Sequence, residues 1–504
     1  MGDKRVLRPL IMATVAATLL AGCSGGDDKA TDQPSADSGS PSASSTPTGP
    51  QLATFDPPKA FAPVSALAQG NTGLSNGSSI EAGMVGEASL YALRSGLTAR
   101  TLSANSWEVP ASDVPTTTTN DFTAPMAVQL NGKEVVATAY TQIVQGSGTQ
   151  KAHGQVTFQW IDPTAGDVLA TAVADLTTLL GPGNSGADFY PPAYDAATGQ
   201  IAVGLTVSSP DRSAKLRQFS VFADPVTKKA VTIPSVRAGG VQNGVVVGLK
   251  GVGGEGVKDN AIVQVDAVSG TVKKTVPVPT MNYLNPQGSG GKHAYFGGTG
   301  YVQDTKYEHH YVNAFYAVDI ATGEVVETKL PNSPDQGDGA ACFSDHVSSV
   351  VCSRTLGGQE GIVGFDDTTG KLLWKYDASA NRIVPDVTAI YNGLVYGLAD
   401  DQAILLDAKT GQDVPTPAPS PGETPTDGST PSDGSSPSDS TSPSSTDSSY
   451  SSGNIGGWGD TSLLSGEPKS PAMVSKYGSV YLQDPGSKAP RNTEKILVVQ
   501  KAVG

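Results

Sequence analysis

The sequence predicts an all-β protein, assembled from repeated four-stranded sheets that close on themselves as a ring. Three observations carry this. A single unit recurs, made of a β-rich run, a five-residue turn that opens on Asp and closes on Gly, and a second β-rich run. The composition, with 59 Gly and 36 Pro among 504 residues, suits many short strands joined by tight turns. No long stretch keeps an apolar period of 3.6 residues, so helices should be minor. The clearest unit is Ile362 to Phe365 and Leu372 to Tyr376 joined by Asp366-Asp367-Thr368-Thr369-Gly370. An Asp in first place accepts hydrogen bonds from N–H groups two or three residues on, and the closing Gly takes the positive φ that a β-carbon resists.

In order along the chain, the first unit runs Ser89 to Arg94, turns at Ser95-Gly96, and continues through Leu97 to Trp107 with a degenerate turn at Thr101 to Asn105. The second carries the turn Asp162 to Gly166. The third carries Asp224 to Lys228 and lacks the glycine. The fourth to seventh turn at Asp266–Gly270, Asp319–Gly323, Asp366–Gly370 and Asp407–Gly411. An eighth, Gly478 to Leu482 then Lys495 to Val499, ends with the chain. From Asp162 onward the turns are 41 to 62 residues apart, enough for one four-stranded sheet each. The turn aspartates recur in every well-formed unit, which turn geometry explains and a single active site does not.

Sheets in series close best into a β-propeller, because a ring leaves few strand edges exposed. The eighth unit lacks a strand after its turn position, so Leu52 to Ala66 should cross back and supply it, clasping the ring with strands from both termini. Eight blades are expected, and seven is the alternative count. The units resemble the pyrroloquinoline-quinone-type propeller repeat, with its pattern Ala-x-Asp-x-x-Thr-Gly-x-x-x-Trp. Val363 to Gly370 matches in part, with its Trp at Trp374. Ala317-Val-Asp-Ile-Ala-Thr-Gly323 matches well but has no Trp after it, and Leu406 to Gly411 matches the turn alone. The likeness covers most of residues 80–504 and speaks to fold, since this repeat serves quinone enzymes and cofactor-free scaffolds alike.

The N-terminus reads as an address. Lys4, Arg5 and Arg8 precede the apolar run Leu10 to Leu20, of signal-peptide length and too short to span a bilayer. The ending Leu19-Leu20-Ala21-Gly22-Cys23 resembles the lipobox of bacterial lipoproteins. That resemblance implies cleavage before Cys23, a diacylglycerol on its thiol, and acylation of the new amino group. A two-chain anchor of that kind holds a protein firmly on a membrane. Residues 1–22 are thus read as signal peptide and 23–50 as lipidated cysteine plus disordered tether. Residues 51–411 are read as propeller, 412–459 as a disordered Pro/Ser/Thr insertion, and 460–504 as the last blade. The address is the extracytoplasmic face of the cell membrane, where disulfides persist.

Cys342 and Cys352 flank a hairpin folded near Val347, equidistant from its bend, and are expected to pair. The formal charge of −15, without a basic stripe, argues against nucleic acid. Gly73 to Gly77 has the spelling of a nucleophile elbow, but no helix pattern follows it. Gly251 to Gly256 has a dinucleotide-loop spelling but joins two strands. Gly291-Lys292-His293 lacks the first Gly and the Ser/Thr of a phosphate loop. His309 and His310 are the best polar cluster, yet neighbours on a strand face opposite ways and do not readily share a metal. Asp335 and Asp338 lack the spaced Glu of a known calcium loop. The expectation is a monomeric lipoprotein, not an enzyme and without a cofactor. Its propeller would bind a protein, a glycan or a small ligand. The rival readings are a quinoprotein-like dehydrogenase and an accessory factor in envelope protein assembly.

Overall fold

The structure, a computed structural model, describes residues 52–504 apart from 71–80, 94, 104, 112–116, 150, 181–186, 208–216, 251–259, 304–308, 334–336, 357–358, 378, 416–465, 485 and 488–492. Its strands form eight antiparallel sheets in a closed series, an eight-bladed β-propeller. In the first blade the strands are Glu81–Val85, Ala88–Leu93, Gly96–Thr101 and Ser106–Pro110, ordered from the axis outwards. The fourth (Val236–Gln242 to Val272–Pro277), fifth (Tyr283–Ser289 to Val325–Ser333) and sixth (Gly337–Ser344 to Lys371–Tyr376) repeat that order.

What holds the blades in a ring is apolar packing between consecutive sheets. Leu90 and Leu97 of the first blade meet Val136 and Ile161 of the second. Phe158 and Trp160 meet Ile201 and Val203 of the third. Phe222 meets Val246 of the fourth, and Val247 meets Phe296 of the fifth. Tyr295 and Phe315 meet Val350 and Phe365 of the sixth, and Val351 meets Val395 of the seventh. Tyr396 meets Phe61 and Val474 of the eighth. Val480, Leu497 and Val499 then return to Met84 and Tyr91 of the first. Each large apolar side chain fully buried in this way contributes about 1.5–3 kcal/mol.

Both chain ends share the eighth sheet, ordered Phe61–Gly70, Thr493–Ala502, Gly478–Gln483, Met473–Ser475. The clasp expected from the sequence is present, shifted along the chain from Leu52–Ala66. Pairing begins at Phe61↔Ala502 and slips at Pro63/Ser65. Pro57 and Pro58 have no N–H to give a ladder, which delays the strand. The residues before it still hold on, with Lys59 N donating to Gly504 O at 2.6 Å and the buried Tyr396 hydroxyl to Pro58 O at 2.6 Å.

Prolines also explain two irregular blades. In the second, the innermost strand is split into Thr117–Phe122 and Met126–Leu130, both paired with Lys133–Val144, and Pro125 stands at the break. In the third, Ala187–Phe189 and Ala193–Tyr194 both pair with Ile201–Val207, and Pro191-Pro192 lie between them. The seventh blade has the strands Asp386–Tyr391, Leu394–Ala399 and Gln402–Asp407, with a single bridge, Leu406↔Asp413, where an outer strand would lie. Val414 N still donates to Leu405 O at 2.8 Å, and the next residue, Pro415, has no N–H.

The turns adopt the geometry that their composition implies. Asp162 Oδ1 accepts from Thr164 N and Ala165 N at 2.8 and 3.0 Å, and Gly166 has φ +78°. Asp266, Asp319, Asp366 and Asp407 accept backbone N–H bonds likewise, and Gly270, Gly323, Gly370 and Gly411 have φ from +67° to +69°. In the third blade Lys228 takes φ +55° in place of glycine. The turns of the second, fifth and seventh blades also dock on the preceding blade. Trp107 Nε1 donates to Pro163 O at 3.0 Å, Gln264 Nε2 to Ile320 O at 2.9 Å, and Trp374 Nε1 to Ala408 O at 2.8 Å. A β-carbon on Gly411 would stand 2.7 Å from Trp374 Cδ2, so this glycine serves φ and close approach together.

Candidate binding site at the propeller axis

Because adjacent strands are antiparallel, the two ends of the ring differ. The turn end carries the first-to-second hairpins and the Asp-to-Gly turns. The loop end carries the second-to-third connections and the crossings between blades.

At the turn end, hydrogen bonds pass between elements around the ring. Gln129 N donates to Ala196 O at 2.7 Å, Asn243 N to Asp195 Oδ2 at 3.0 Å, and Gln242 Nε2 to Gly291 O at 2.9 Å. Lys292 N donates to Asp367 Oδ2 at 2.8 Å and Gly393 N to Asp345 Oδ2 at 3.0 Å. Asn392 Nδ2 donates to Asp56 Oδ1 at 2.7 Å, Phe55 N to Lys476 O at 2.9 Å, and Ser475 Oγ to Gly86 O at 2.6 Å. The third and sixth blades, which are not neighbours in the ring, also touch, since the rings of Tyr194 and His346 lie 4.5 Å apart. His346 has φ +52° and a buried Nδ1 without a hydrogen-bond partner. Burial holds its imidazole down to about 4, against the opposite pull of Asp345 and Asp195. Glu134 is held above the usual carboxylate range by burial, which outweighs Lys476 and the Gly86 N–H. Side chains of the third and sixth blades thus meet across the ring at this end.

Asp367 belongs to the same end. It is buried and accepts from Lys292 N, His293 N and the Tyr295 hydroxyl, while His293 Nδ1 donates to its carbonyl at 2.6 Å. Burial raises its pKa, and those hydrogen bonds act the other way. The Gly291-Lys292-His293 run is therefore a hairpin turn with its N–H groups committed to a neighbouring blade.

Towards the loop end lies Arg237, on the innermost strand of the fourth blade and only 2% exposed. Its Cγ lies near Gly204, where a β-carbon would stand at 3.1 Å. Nη2 donates to Leu284 O at 2.8 Å and to Asn285 Oδ1 at 2.7 Å, both on the innermost strand of the fifth blade. Its Cζ stands 4.5 Å from the centre of the Tyr190 ring in the third blade, whose hydroxyl accepts from Thr206 Oγ1 at 2.9 Å. Nε is buried and has no hydrogen-bond partner. Among the described residues no carboxylate forms an ion pair with Arg237. Burial lowers its pKa, and Tyr190 opposes the shift. Arg354, in the sixth blade, is a second cation with a buried, unpartnered Nε, drawn down by burial to about 10.

The residues singled out from the sequence are placed mostly away from this axis. The turn aspartates and glycines serve the outer hairpins. Cys342 and Cys352 form a disulfide between directly paired residues of the sixth blade, with Cα atoms 4.0 Å apart. His309 and His310 pair with Gln303 and Val302 at the far end of the long fifth-blade hairpin. Cys23, Gly73 to Gly77, Gly251 to Gly256, Asp335 and the insertion beyond Pro415 lie outside the described residues, as does the side chain of Asp338. The sequence reading missed Arg237, Tyr190, His346 and Asp195. Asp195-Ala-Ala-Thr-Gly199 has the full turn spelling, but it joins the first and second strands of its blade rather than the last two. Arg237, set in the β run Val236-Arg-Ala-Gly-Gly-Val241, was a readable signal, a charge where a buried strand calls for none.

No protein-family profile matches the chain, and no curated protein does. Solved structures resemble it in fold. The Dos1 propeller is 8% identical at a TM-score of 0.39, over 88% of this chain and 96% of its own. The β-propeller domain of the trilobed protease from Pyrococcus furiosus is 9% identical at 0.33, over 60% and 84%. A prolyl endopeptidase is 12% identical at 0.35, over 70% of this chain and 49% of its own. Proteases among these neighbours overturn the expectation that the chain is not an enzyme, since this fold occurs in enzymes and the fold alone does not settle activity.

Proposed function

We propose that the chain is a lipoprotein anchored through Cys23 at the extracytoplasmic face of the cell membrane, and that its propeller is a binding module. Its ligand, a protein, glycan or small molecule, enters from the loop end. The observation that carries the binding reading is the asymmetry of the axis. The Tyr194–His346 contact spans it at the turn end, and the buried guanidinium of Arg237 stands on its wall nearer the other. At the turn end Phe55 N donates to Lys476 O, which holds the stretch before the clasp to the eighth blade. The Cys342–Cys352 disulfide is in keeping with an oxidising compartment. The docking of Trp374 on the next turn supports kinship with the pyrroloquinoline-quinone-type repeat.

Two measurements test the reading. Wild-type protein should partition into detergent with membranes and yield an N-terminal peptide of diacylated mass, and Cys23→Ala should do neither. A Cys23→Ala protein that stays in the membrane fraction refutes the anchor. Crosslinking on intact cells, read by mass spectrometry, should concentrate crosslinks on loop-end residues. Crosslinks confined to the turn end would refute the direction of binding.

A further inference from the structure

Arg237 is an unusual thing to bury. A guanidinium has five N–H donors and a permanent charge, and removing a charge from water costs several kcal/mol unless a partner of opposite sign is supplied. Here both hydrogen bonds to the fifth blade run through Nη2, to neutral acceptors, and the Tyr190 side chain is the further hydrogen-bonding neighbour. Nε is sealed from solvent with nothing to receive its hydrogen. The Tyr190 ring covers one face of the group, and a ring face offsets a full charge only in part. No carboxylate of the described residues approaches, although the chain carries 48 Asp and Glu against 33 Lys and Arg. Among the described residues the most deeply placed cation is thus without a compensating carboxylate, which leaves its charge available to something else.

The position sharpens this. Three blades converge on the guanidinium, the third through Tyr190 in the break of its innermost strand, the fourth through Arg237 itself and the fifth through Leu284 and Asn285 of its innermost strand. Innermost strands line the axis, so the group stands in the channel wall, held by contacts on both sides. Its orientation is fixed before any ligand arrives, which reduces the ordering cost of binding.

We propose that Arg237 is the anion-recognising residue of an axial binding site and that the group it receives is a carboxylate. This rests on the reading of the axis as the binding site and names the chemistry it takes. A carboxylate matches a guanidinium in shape and charge. Phosphate places up to two charges on one group, which a single guanidinium neutralises only in part, whereas each carboxylate is matched one for one. The carboxylate can come from an acidic sugar or from an acidic peptide.

The test uses the full chain in detergent and three probes at constant ionic strength: sodium glucuronate, N-acetylglutamate and sodium phosphate. Thermal unfolding midpoints are read against probe concentration. At least one carboxylate should raise the midpoint along a saturating curve, and phosphate should do so less. Glucuronate leading points to a glycan, and N-acetylglutamate leading points to a peptide. Arg237→Met should weaken the saturating response at least tenfold. Asn285→Asp keeps the arginine and gives it an internal carboxylate, so it should unfold at a higher temperature than wild type and lose the response. No saturating response in wild type, phosphate leading both carboxylates, or an undiminished response in Asn285→Asp overturns the proposal. Cell-surface crosslinks that persist in Arg237→Met would sink the carboxylate site and leave the binding module standing. Absence of crosslinks in wild type would count against the module itself.

Discussion

The turn glycines give a prediction that separates two physical roles of one residue type. Gly270 and Gly411 both have φ +69° and close equivalent Asp-to-Gly turns. They differ in what a methyl group would meet. At Gly270 nothing lies within 4 Å, whereas at Gly411 the new carbon would stand 2.7 Å from Trp374 Cδ2 and 3.0 Å from the Tyr376 hydroxyl. Left-handed backbone costs an L-residue about 1–2 kcal/mol, offset by about 0.4–1 kcal/mol because alanine stiffens the unfolded chain. Gly270→Ala should therefore lose about 0.5–1 kcal/mol. Gly411→Ala carries the same backbone cost plus overpacking, which runs at about 1–3 kcal/mol, for a total of about 1.5–4 kcal/mol. Urea titrations followed by tryptophan fluorescence would show this as a larger fall in midpoint for Gly411→Ala at unchanged slope. Adding Trp374→Phe should lessen the cost of Gly411→Ala and leave that of Gly270→Ala alone. Equal losses at the two sites, or a larger one at Gly270, would refute the claim that blades dock through these turns.

Other outcomes follow from the same structure. Lys228→Gly relieves the left-handed lysine and should raise stability by about 0.5–1 kcal/mol in the same titration. Replacing Cys342 and Cys352 together by serine opens a cross-link of sequence separation 10 and should cost about 2–3 kcal/mol, with a matching loss in reducing buffer for wild type alone. His346 is depressed when folded, so its contribution is whole above about pH 6.5 and is lost as pH falls towards about 4. His346→Asn, which tolerates the positive φ, should flatten stability over that window. At lower pH still, Asp266, held down to about 2 by its turn hydrogen bonds, contributes in full above about pH 3.8 and loses that contribution as pH falls towards about 2, and Asp266→Asn should remove that part of the acid slope.

What the sequence could reveal follows from how far apart the cooperating residues lie. The Asp162–Gly166 turn and its relatives are local, so five consecutive residues specify them. The cysteines sit symmetrically about one bend, and pairing across a hairpin is local too. The clasp was legible as a missing strand, but its start was misplaced because Pro57 and Pro58 defer pairing to Phe61. Asp195 escaped notice because the same spelling serves either hairpin of a blade. The axis was the least legible part. Arg237, Tyr190 and Asn285 come from three blades, and Tyr194 and His346 from two that are not neighbours, so no periodicity links them. Enzymatic activity was judged from missing motifs, and a fold also found in proteases does not support that judgement.

The eighth sheet has a mechanical consequence. A pull on the chain at Leu52 arrives first at Phe55, Asp56 and Lys59, which grip Lys476, Asn392 and Gly504. Only after those yield does tension reach Phe61–Gly70, whose whole ladder runs along Thr493–Ala502. The two chain ends are thereby coupled like a buckle, so that a tug at either terminus is resisted by the other.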